Sequence, residues 1–227
     1  MRVTRLRPDV PAQEIAEYCI AYVLREQRHV DAYVRNQQER KWNPVPPRCA
    51  ADTVIGILGL GQIGARTATS FHRLGFQVVG WSRSPKSIEG IDCRHGLEEL
   101  TGVIARSDFV VGILPSTPTT RGLFDGDRFA AMKPGSMLVN VGRGDLIIEQ
   151  DLLRALDLRY LAGAVLDVHR IEPLPQGHPF WRHPKITITP HVSGWHLTGG
   201  LEDVAENYRR LIAGLSLLHE VNRAAGY

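Results

Sequence analysis

The run Val54–Leu58, followed at once by Gly59–Gly64, constrains the fold of this chain more than any other stretch. The first five residues are apolar or glycine, as in a buried strand, and the next six match the pattern Gly-x-Gly-x-x-Gly. An apolar-periodic stretch then continues to Gly75, where a helix is expected to end. Strand, glycine turn and helix form the context in which this motif binds a dinucleotide.

The three glycines of the motif have separate roles in such a site. Gly59 permits the tight turn, Gly61 lets the backbone approach a pyrophosphate, and Gly64 lets the helix pack closely on the strand. Gln62 and Ile63 lie at the start of the helix, whose amino terminus offers unpaired N–H groups and a partial positive charge to phosphates. The alternative is a glycine-rich turn without a ligand, and the neighbouring strand and helix favour the dinucleotide.

Composition disfavours several classes of function. A net charge of +3 over 227 residues is too small to indicate a nucleic-acid partner, and the basic residues form no patch interleaved with aromatic residues. Cys19, Cys49 and Cys93 fit neither a metal spacing nor a disulfide framework, so we expect no metal and a reducing compartment. Because neither a signal peptide nor a membrane-length apolar segment is recognisable, we expect a cytoplasmic protein with no membrane partner.

From Asp52 onward, strand and helix patterns alternate. The predicted strands are short, continuous and apolar, as in a parallel sheet covered on both faces. They comprise Val54–Leu58, Gln77–Trp81, Phe109–Leu114, Ser136–Asn140, Gly163–Asp167 and Ile186–Thr189, with helical patterns between them, for example at Leu97–Ala105, Asp125–Met132 and Gln150–Leu156. This order predicts an α/β fold with a doubly wound parallel sheet of the Rossmann type, which binds ligands at the carboxyl ends of its strands.

The amino-terminal part of the chain departs from this alternation. Arg2–Leu6 alternates as a short strand does, and a long helix is predicted from Pro11 to about Arg40, ahead of a proline-rich linker. Residues 15–24 are apolar nearly all round, which predicts burial of that helix on more than one side.

The loop after the second predicted strand bears on the choice of cofactor. Where a site for the ribose 2′-hydroxyl of NAD would carry Asp or Glu, this chain has no carboxylate. Two hydroxyls and two cations stand there instead, in Ser82, Arg83, Ser84 and Lys86. That combination suits a 2′-phosphate and predicts NADP, with NADPH preferred and NAD as the second option. The alternative is a solvated basic loop.

Two further loops follow strands at the same edge, and spacing alone leaves the role of each open. The small, hydroxyl-rich loop after the third strand either borders the cofactor through Leu114, Pro115 and Thr120 or forms an ordinary turn. Arg143, after the fourth strand, either reaches into the ligand crevice, where its planar fork matches a carboxylate, or lies exposed and pairs with Asp145.

Three more polar residues follow the last two predicted strands. Asp167 closes the fifth strand, Glu172 lies shortly after it, and His191 follows the sixth in Thr189-Pro190-His191. Because parallel strands end at one edge, we expect these side chains to lie near one another. His178 looks like part of a packed turn and is left out of the predicted site.

In order and spacing, four motifs resemble the D-2-hydroxyacid dehydrogenase family. They are Gly59–Gly64, Asn140–Gly144, Leu166–Val168 with Glu172–Pro175, and Thr189–His191. Trp81–Ser87 and the closing Val221–Tyr227 look like the glyoxylate/hydroxypyruvate reductase branch of that family. The match runs from about Arg2 to the carboxyl end.

The resemblance implies roles for the polar residues at the strand ends. Arg143 would bind the carboxylate and keto oxygen of the substrate, His191 would be the acid/base, Glu172 would hold and polarise its imidazole, and Asp167 would contact the nicotinamide end of the cofactor. The predicted cofactor site consists of Gly59, Gly61, Gln62, Ile63, Gly64, Ser82, Arg83, Ser84, Lys86, Leu114, Pro115, Thr120, Val141, Gly142, Arg143, Asp167, His191 and Gly194.

The resemblance also implies two domains and a partner. We expect residues 1–44 to be a remnant of a substrate domain, 45–196 to be the NAD(P)-binding domain, and 197–227 to return to the substrate domain. The last part is predicted as a helix that starts after Gly200 and ends near His219, followed by a tail. By the same resemblance, the long first helix would be the interdomain and dimer-forming element, so we expect a homodimer.

Members of this family carry an amino-terminal segment of about 80–90 residues, the size of a small domain, of which only the last strand and helix are expected here. The helix faces that would cover the missing part should then be partly exposed or buried in a dimer. These faces include Ile15, Tyr18, Tyr22, Leu211 and Leu215.

The implied activity is hydride transfer from NADPH to a small 2-keto acid. A catalytically weak or silent NAD(P)-binding remnant is the alternative from another class. A DNA-associated corepressor of the same fold is disfavoured by the lack of a basic patch.

Overall fold

The computed structural model describes residues 2–5, 9–196 and 200–221. A single sheet of seven strands, all parallel, lies at its centre, in the order β3-β2-β1-β4-β5-β6-β7. The strands are β1 (Val54–Leu58), β2 (Gln77–Ser82), β3 (Asp92–His95), β4 (Phe109–Gly112), β5 (Ser136–Asn140), β6 (Leu161–Leu166) and β7 (Ile186–Ile188). The predicted α/β class with a doubly wound parallel sheet is confirmed.

β3 is the strand that the sequence pattern did not reveal. It forms one edge of the sheet and, among the described residues, pairs with β2 alone. Because one side of an edge strand faces solvent, Asp92-Cys93-Arg94-His95 lacks the apolar run by which the other six strands were recognised. The predicted third, fifth and sixth strands end slightly too late, since Asp167 and Thr189 lie just beyond β6 and β7.

Helices cover the sheet on both faces. They are α1 (Asp9–Gln27), α2 (Val30–Gln38), α3 (Gln62–Arg73), α4 (Leu97–Arg106), α5 (Gly126–Ala131), α6 (Glu149–Asp157) and α7 (Gly200–Ile212). On one face Leu100, Phe129 and Leu152 of α4, α5 and α6 pack on the strands. On the other face Val23 of α1 and Phe71 of α3 do so. The core is therefore two apolar layers separated by the sheet.

The prediction of one long helix from Pro11 to about Arg40 is wrong in one respect, because the structure divides this stretch into α1 and α2. His29 adopts a left-handed backbone conformation (φ 55°), through which a right-handed helix cannot continue. α1 is buried, as its apolar composition predicted, whereas α2 has no buried residue.

The expectation that Ile15 would be exposed or buried only in a dimer is also wrong. Ile15 is 8% exposed within this single chain, because α1 lies against α3 and the sheet. Tyr18 and Tyr22 are half-buried in the same layer. Leu211 and Leu215, in contrast, are each 55% exposed, as predicted. α7 carries Leu211 but not Leu215, because it ends at Ile212 rather than near His219, and Gly214 just beyond it takes a left-handed conformation (φ 67°).

The two ends of the described chain lie side by side. Thr4 faces Glu220 in an antiparallel bridge, in which the Arg5 N–H donates to the His219 carbonyl at 3.0 Å. Leu6, at the end of the predicted first strand, and the predicted tail 222–227 lie outside the described residues. Across residues 2–5, 9–196 and 200–221, no helix combines the length and the apolar character that a membrane span requires.

A buried carboxylate joins several elements at the amino-terminal edge of the sheet. Asp108, just before β4, accepts hydrogen bonds from Arg48 Nη1 at 2.5 Å, from Lys133 Nζ at 2.7 Å and from the Val54 N–H at 2.9 Å. Burial alone would raise the pKa of Asp108, but these donors outweigh it and hold the pKa below its ordinary value. The ionised carboxylate therefore ties the linker before β1 to β4.

Replacing Asp108 with Asn should lower the free energy of unfolding by about 2–3 kcal/mol, because two cations would lose a buried partner. The matched control is Asp92→Asn, since Asp92 also lies between two arginines but its side chain is 39% exposed. That change should cost only about 0–1 kcal/mol. Denaturant unfolding measures both, and equal costs would contradict the prediction. The contribution of Asp108 should be present above its ordinary pKa and lost as pH falls through its lowered folded value.

Candidate active site

The loops after the strands meet at the carboxyl edge of the sheet. β1 pairs with β2 on one side and with β4 on the other. The order in which successive strands are added to the sheet therefore reverses between β1 and β4. Such a reversal opens the crevice in which doubly wound sheets bind their ligands.

The glycine turn after β1 has the geometry of a dinucleotide cradle. Gly59 has φ 108°, and a Cβ on Gly64 would lie 1.7 Å from the Gly59 carbonyl oxygen, so α3 begins directly against the turn. A Cβ on Gly61 would meet no atom within 4 Å. Gly61 precedes α3 and supplies no side-chain cap to the first N–H groups of that helix. Open space over an uncapped helix terminus, flanked by exposed Gln62 and half-buried Ile63, fits a pyrophosphate.

The predicted 2′-phosphate loop follows β2. Ser82 is buried, and its hydroxyl donates to the Ser84 carbonyl at 2.8 Å, so it shapes the turn. Arg83, Ser84 and Lys86 are exposed on that turn. The pairing of β3 with β2 also brings His95 into register with Ser82, a neighbour that the sequence analysis missed because it did not predict β3.

The loop after β4 is a hydroxyl-capped turn that lies against the loop after β5. Thr120 Oγ1 donates to the Pro115 carbonyl at 2.6 Å and accepts from the Thr117 N–H at 2.8 Å. A Cβ on Gly142 would lie 2.7 Å from the carbonyl oxygen of buried Leu114. The loop is therefore a hydroxyl-capped turn, and its contact with the cofactor stays a prediction.

Arg143 is exposed and does not pair with Asp145. Its Nη1 donates to the Gly142 carbonyl at 2.6 Å, while the N–H of buried Val141, just past β5, donates to the Gly112 carbonyl at 3.1 Å. Asp145 pairs instead with Arg121 at 3.2 Å and accepts from the Ser116 hydroxyl at 2.6 Å. The alternative of an Arg143–Asp145 pair is wrong, because the loop after β4 provides Asp145 with its partners.

Asp167 is completely buried just past β6. Its Oδ1 accepts from the Thr189 hydroxyl at 2.5 Å and from the Val192 N–H at 2.9 Å, and its Oδ2 accepts from the Ser193 N–H at 2.9 Å. Burial raises the pKa of Asp167, but these donors outweigh burial, so the pKa lies below its ordinary value. Both oxygens are thus occupied within the chain, and contact with a nicotinamide stays a prediction.

Glu172 and His191 form the pair expected from the sequence. The His191 Nδ1 donates to Glu172 Oε2 at 2.7 Å, and Glu172 Oε1 accepts the His169 N–H at 2.8 Å. Burial raises the pKa of Glu172, but the bonds from His191 and His169 lower it below its ordinary value. Glu172 is therefore ionised at neutral pH and fixes the orientation of the ring. In the part of the chain that the structure describes, His191 Nε2 has no hydrogen bond and remains available to a ligand.

The segment after His191 lies on α1, a contact that the sequence analysis missed. A Cβ on Gly194 would lie 3.1 Å from Ile15 Cδ1. Glu14 accepts the Trp195 N–H at 2.8 Å, and Tyr18 hydrogen-bonds to Thr189 at 2.6 Å. No local pattern signals these contacts, because they arise only when α1 packs on the sheet.

Two other predictions bear on the site. His178 lies in a packed turn, where its Nδ1 accepts the Phe180 N–H at 3.3 Å, as expected. Within the described ranges, no group of three acidic, histidine or cysteine side chains is placed to hold a metal ion.

Comparison with known proteins identifies close relatives. The family described as D-isomer specific 2-hydroxyacid dehydrogenase, NAD binding domain, matches residues 20–193. The glyoxylate/hydroxypyruvate reductase A of Serratia proteamaculans (strain 568) is 41% identical over 224 residues, which are 98% of this chain and 72% of the relative. The reductase of the same name from Photorhabdus laumondii is 40% identical over 94% of this chain and 69% of its own length.

Solved structures are similar over the whole chain. A D-isomer specific 2-hydroxyacid dehydrogenase from Xanthobacter autotrophicus Py2, in complex with NADPH and MES, has a TM-score of 0.94 and 41% identity, and the match covers 100% of this chain and 94% of that one. An NADPH-dependent glyoxylate/hydroxypyruvate reductase from Sinorhizobium meliloti, in complex with NADP and sulfate, has a TM-score of 0.94 at 34% identity, covering 100% of this chain and 73% of that one. These matches confirm the predicted resemblance.

Two glycines of the turn should respond differently to the same change. Gly64→Ala should destabilise the fold by about 3 kcal/mol or more, because its Cβ would overlap the Gly59 carbonyl. Gly61→Ala, the matched control, should leave the free energy of unfolding within about 0.5 kcal/mol of wild type, since its Cβ points into open space. Thermal and denaturant unfolding compare the two variants. Equal stability of both would show that α3 does not need its close approach to β1.

Proposed function

Because the chain belongs to the D-isomer specific 2-hydroxyacid dehydrogenase family, we propose that it binds NADPH and reduces a small 2-keto acid, such as glyoxylate or hydroxypyruvate, to the 2-hydroxy acid. The observation that carries the proposal is the Glu172–His191 pair, which lies at the same sheet edge as the glycine cradle. The relatives named above are reductases of this kind, and the structural relatives were solved with NADPH or NADP.

The cofactor would lie along the carboxyl edge. The open space at Gly61 and the uncapped start of α3 would receive its pyrophosphate, and Arg83, Ser84 and Lys86 would receive a 2′-phosphate. Buried Ser82 would contribute by shaping that turn. When bound, the cofactor supplies the hydride for the carbonyl carbon.

The chain's own residues would manage charge and protons on the substrate. His191 Nε2 would donate a proton to the oxygen that becomes the hydroxyl, while Glu172 holds the ring through Nδ1. Arg143, on the neighbouring loop, would bind the substrate carboxylate with its planar fork. Binding and orienting a small anion next to a positioned acid is what reduction of a keto acid requires of a protein.

Three predictions from the sequence stay predictions. They are the homodimer, the cytoplasmic location and the division of the chain at residues 44 and 196. A catalytically weak or silent NAD(P)-binding remnant is the rival from another class, and brisk reduction of a keto acid by the purified chain would decide against it.

NADPH should bind at least about tenfold more tightly than NADH. Arg83→Asp should weaken the binding of NADPH about tenfold or more, because a charge-assisted hydrogen bond contributes roughly 1.5–3 kcal/mol. The control Arg73→Asp makes the same charge change at the far end of α3 and should leave both affinities unchanged. Fluorescence titration with each cofactor gives the Kd values. Equal affinities in wild type would remove the assignment of the loop after β2 to a 2′-phosphate.

His191→Ala should lower kcat for glyoxylate by about 10²–10⁴ with NADPH affinity nearly intact, as expected for loss of a general acid. Arg143→Lys should also lower kcat/KM, because an ammonium cannot reproduce the bidentate fork. The control His178→Gln removes another histidine near a glutamate, Glu149 at 3.4 Å, and this histidine is not among the predicted site residues. Unchanged kcat in His191→Ala would exclude His191 from the reaction.

Glu172→Gln should change the pH profile rather than abolish activity. Since the pKa of Glu172 is held below its ordinary value, its pairing with His191 should persist at neutral pH and be lost as pH falls through that lowered value. In wild type, kcat should therefore fall at acidic pH as this pairing is lost. The Glu172→Gln variant should lack that acidic fall in kcat and should be slower at neutral pH. Steady-state rates across pH measure it, and an identical profile would contradict the positioning of His191 by Glu172.

A further inference from the structure

The segment Thr189–His196, which carries His191, is attached to α1 at both ends. The Tyr18 hydroxyl lies 2.6 Å from Thr189 Oγ1, and Glu14 accepts the main-chain N–H groups of Trp195 at 2.8 Å and His196 at 2.9 Å. Glu14 and Tyr18 are four residues apart and therefore share one face of the helix. His191 stands between these two attachments.

The direction of the hydrogen bonds at Thr189 follows from chemistry. Thr189 Oγ1 lies 2.5 Å from Asp167 Oδ1, and an ionised carboxylate only accepts, so the Thr189 hydroxyl donates to it. Thr189 must then accept from Tyr18, whose phenol donates. Burial raises the pKa of Tyr18 well above its ordinary value, so the phenol keeps its proton.

Asp167 in turn fixes the backbone of the segment. Its carboxylate accepts the N–H groups of Val192 and Ser193, and its main-chain carbonyl accepts the His191 N–H at 2.8 Å. His191 has φ 56°, a left-handed conformation that a residue with a side chain seldom adopts. Such a conformation persists only where surrounding bonds hold it.

Resting on the function proposed above, we propose that Tyr18 of α1 is a positioning residue for the reaction: its hydroxyl orients the Thr189 hydroxyl and the Asp167 carboxylate, and thereby sets the place of His191. Tyr18 does not touch the reacting atoms. It acts through the hydrogen-bonded chain Tyr18–Thr189–Asp167, and the helix that carries it also packs on α3. Arg66 of α3 hydrogen-bonds to Gln13 of α1 at 2.9 Å, so one helix contacts both the cofactor-binding helix and the segment of His191.

The first test removes a single oxygen. Tyr18→Phe should lower kcat about five- to tenfold, the effect of one misplaced hydrogen bond, with NADPH Kd and keto-acid KM within twofold of wild type. Tyr22→Phe is the matched control. Its ring lies 4.6 Å from that of Tyr18, and in the described part of the chain its hydroxyl makes no hydrogen bond. Equal kcat for both variants would overturn the proposal.

A double-mutant cycle separates positioning from simple stabilisation. Thr189→Val removes the hydroxyl that links Tyr18 to Asp167. In the Thr189→Val background, Tyr18→Phe should therefore change kcat by less than twofold. In a Thr189→Ser background, which keeps the hydroxyl, Tyr18→Phe should retain its full five- to tenfold effect. Independent, multiplicative effects in both backgrounds would show that Tyr18 does not act through Thr189.

Amide hydrogen exchange of Val192 and Ser193, measured without substrate, distinguishes failure of this proposal from failure of the proposed function. Tyr18→Phe should accelerate exchange of both amides about five- to tenfold, whereas Tyr22→Phe should not. If the chain reduces no keto acid yet exchange accelerates, the proposed function fails and the attachment to Tyr18 stands. If the chain reduces keto acids but Tyr18→Phe alters neither kcat nor exchange, Tyr18 does not position His191.

Discussion

The buried carboxylate of Asp167 is the interaction on which the candidate active site depends. It accepts a hydroxyl and two main-chain N–H groups from the segment that follows β7, and so joins the ends of β6 and β7. A carboxylate buried without such donors would be strongly unfavourable. Segment and carboxylate therefore stabilise each other, and His191 can keep its left-handed conformation between them.

Much of the fold and of the site was predictable, because both depend on local patterns. Buried parallel strands are short apolar runs, and six of the seven were recognised, β1 with its observed bounds. Residues that follow such strands meet at one edge of the sheet. Glu172 and His191 are consequently hydrogen-bonded although 19 residues separate them in the sequence.

The rest depends on tertiary contacts that leave no local pattern. β3 has polar residues because it is an edge strand, and the helix breaks at His29, where no glycine or proline marks the place. Glu14 and Tyr18 resemble any polar residues of a helix, and only the packing of α1 on the sheet brings them to Thr189–His196. Pairing of Asp145 with Arg121 likewise needs two loops that are distant in sequence to meet.

The two buried carboxylates of the sheet show how the same group serves different ends. Asp108, at the amino edge, is paired with two cations, and its charge is compensated where it lies. Asp167, at the carboxyl edge, is held only by neutral donors, and in residues 2–5, 9–196 and 200–221 no cation pairs with it. Neutral donors fix a carboxylate in place without cancelling its charge. The two carboxylates therefore differ in role: Asp108 joins elements of the fold, whereas Asp167 holds the backbone of the segment that carries His191.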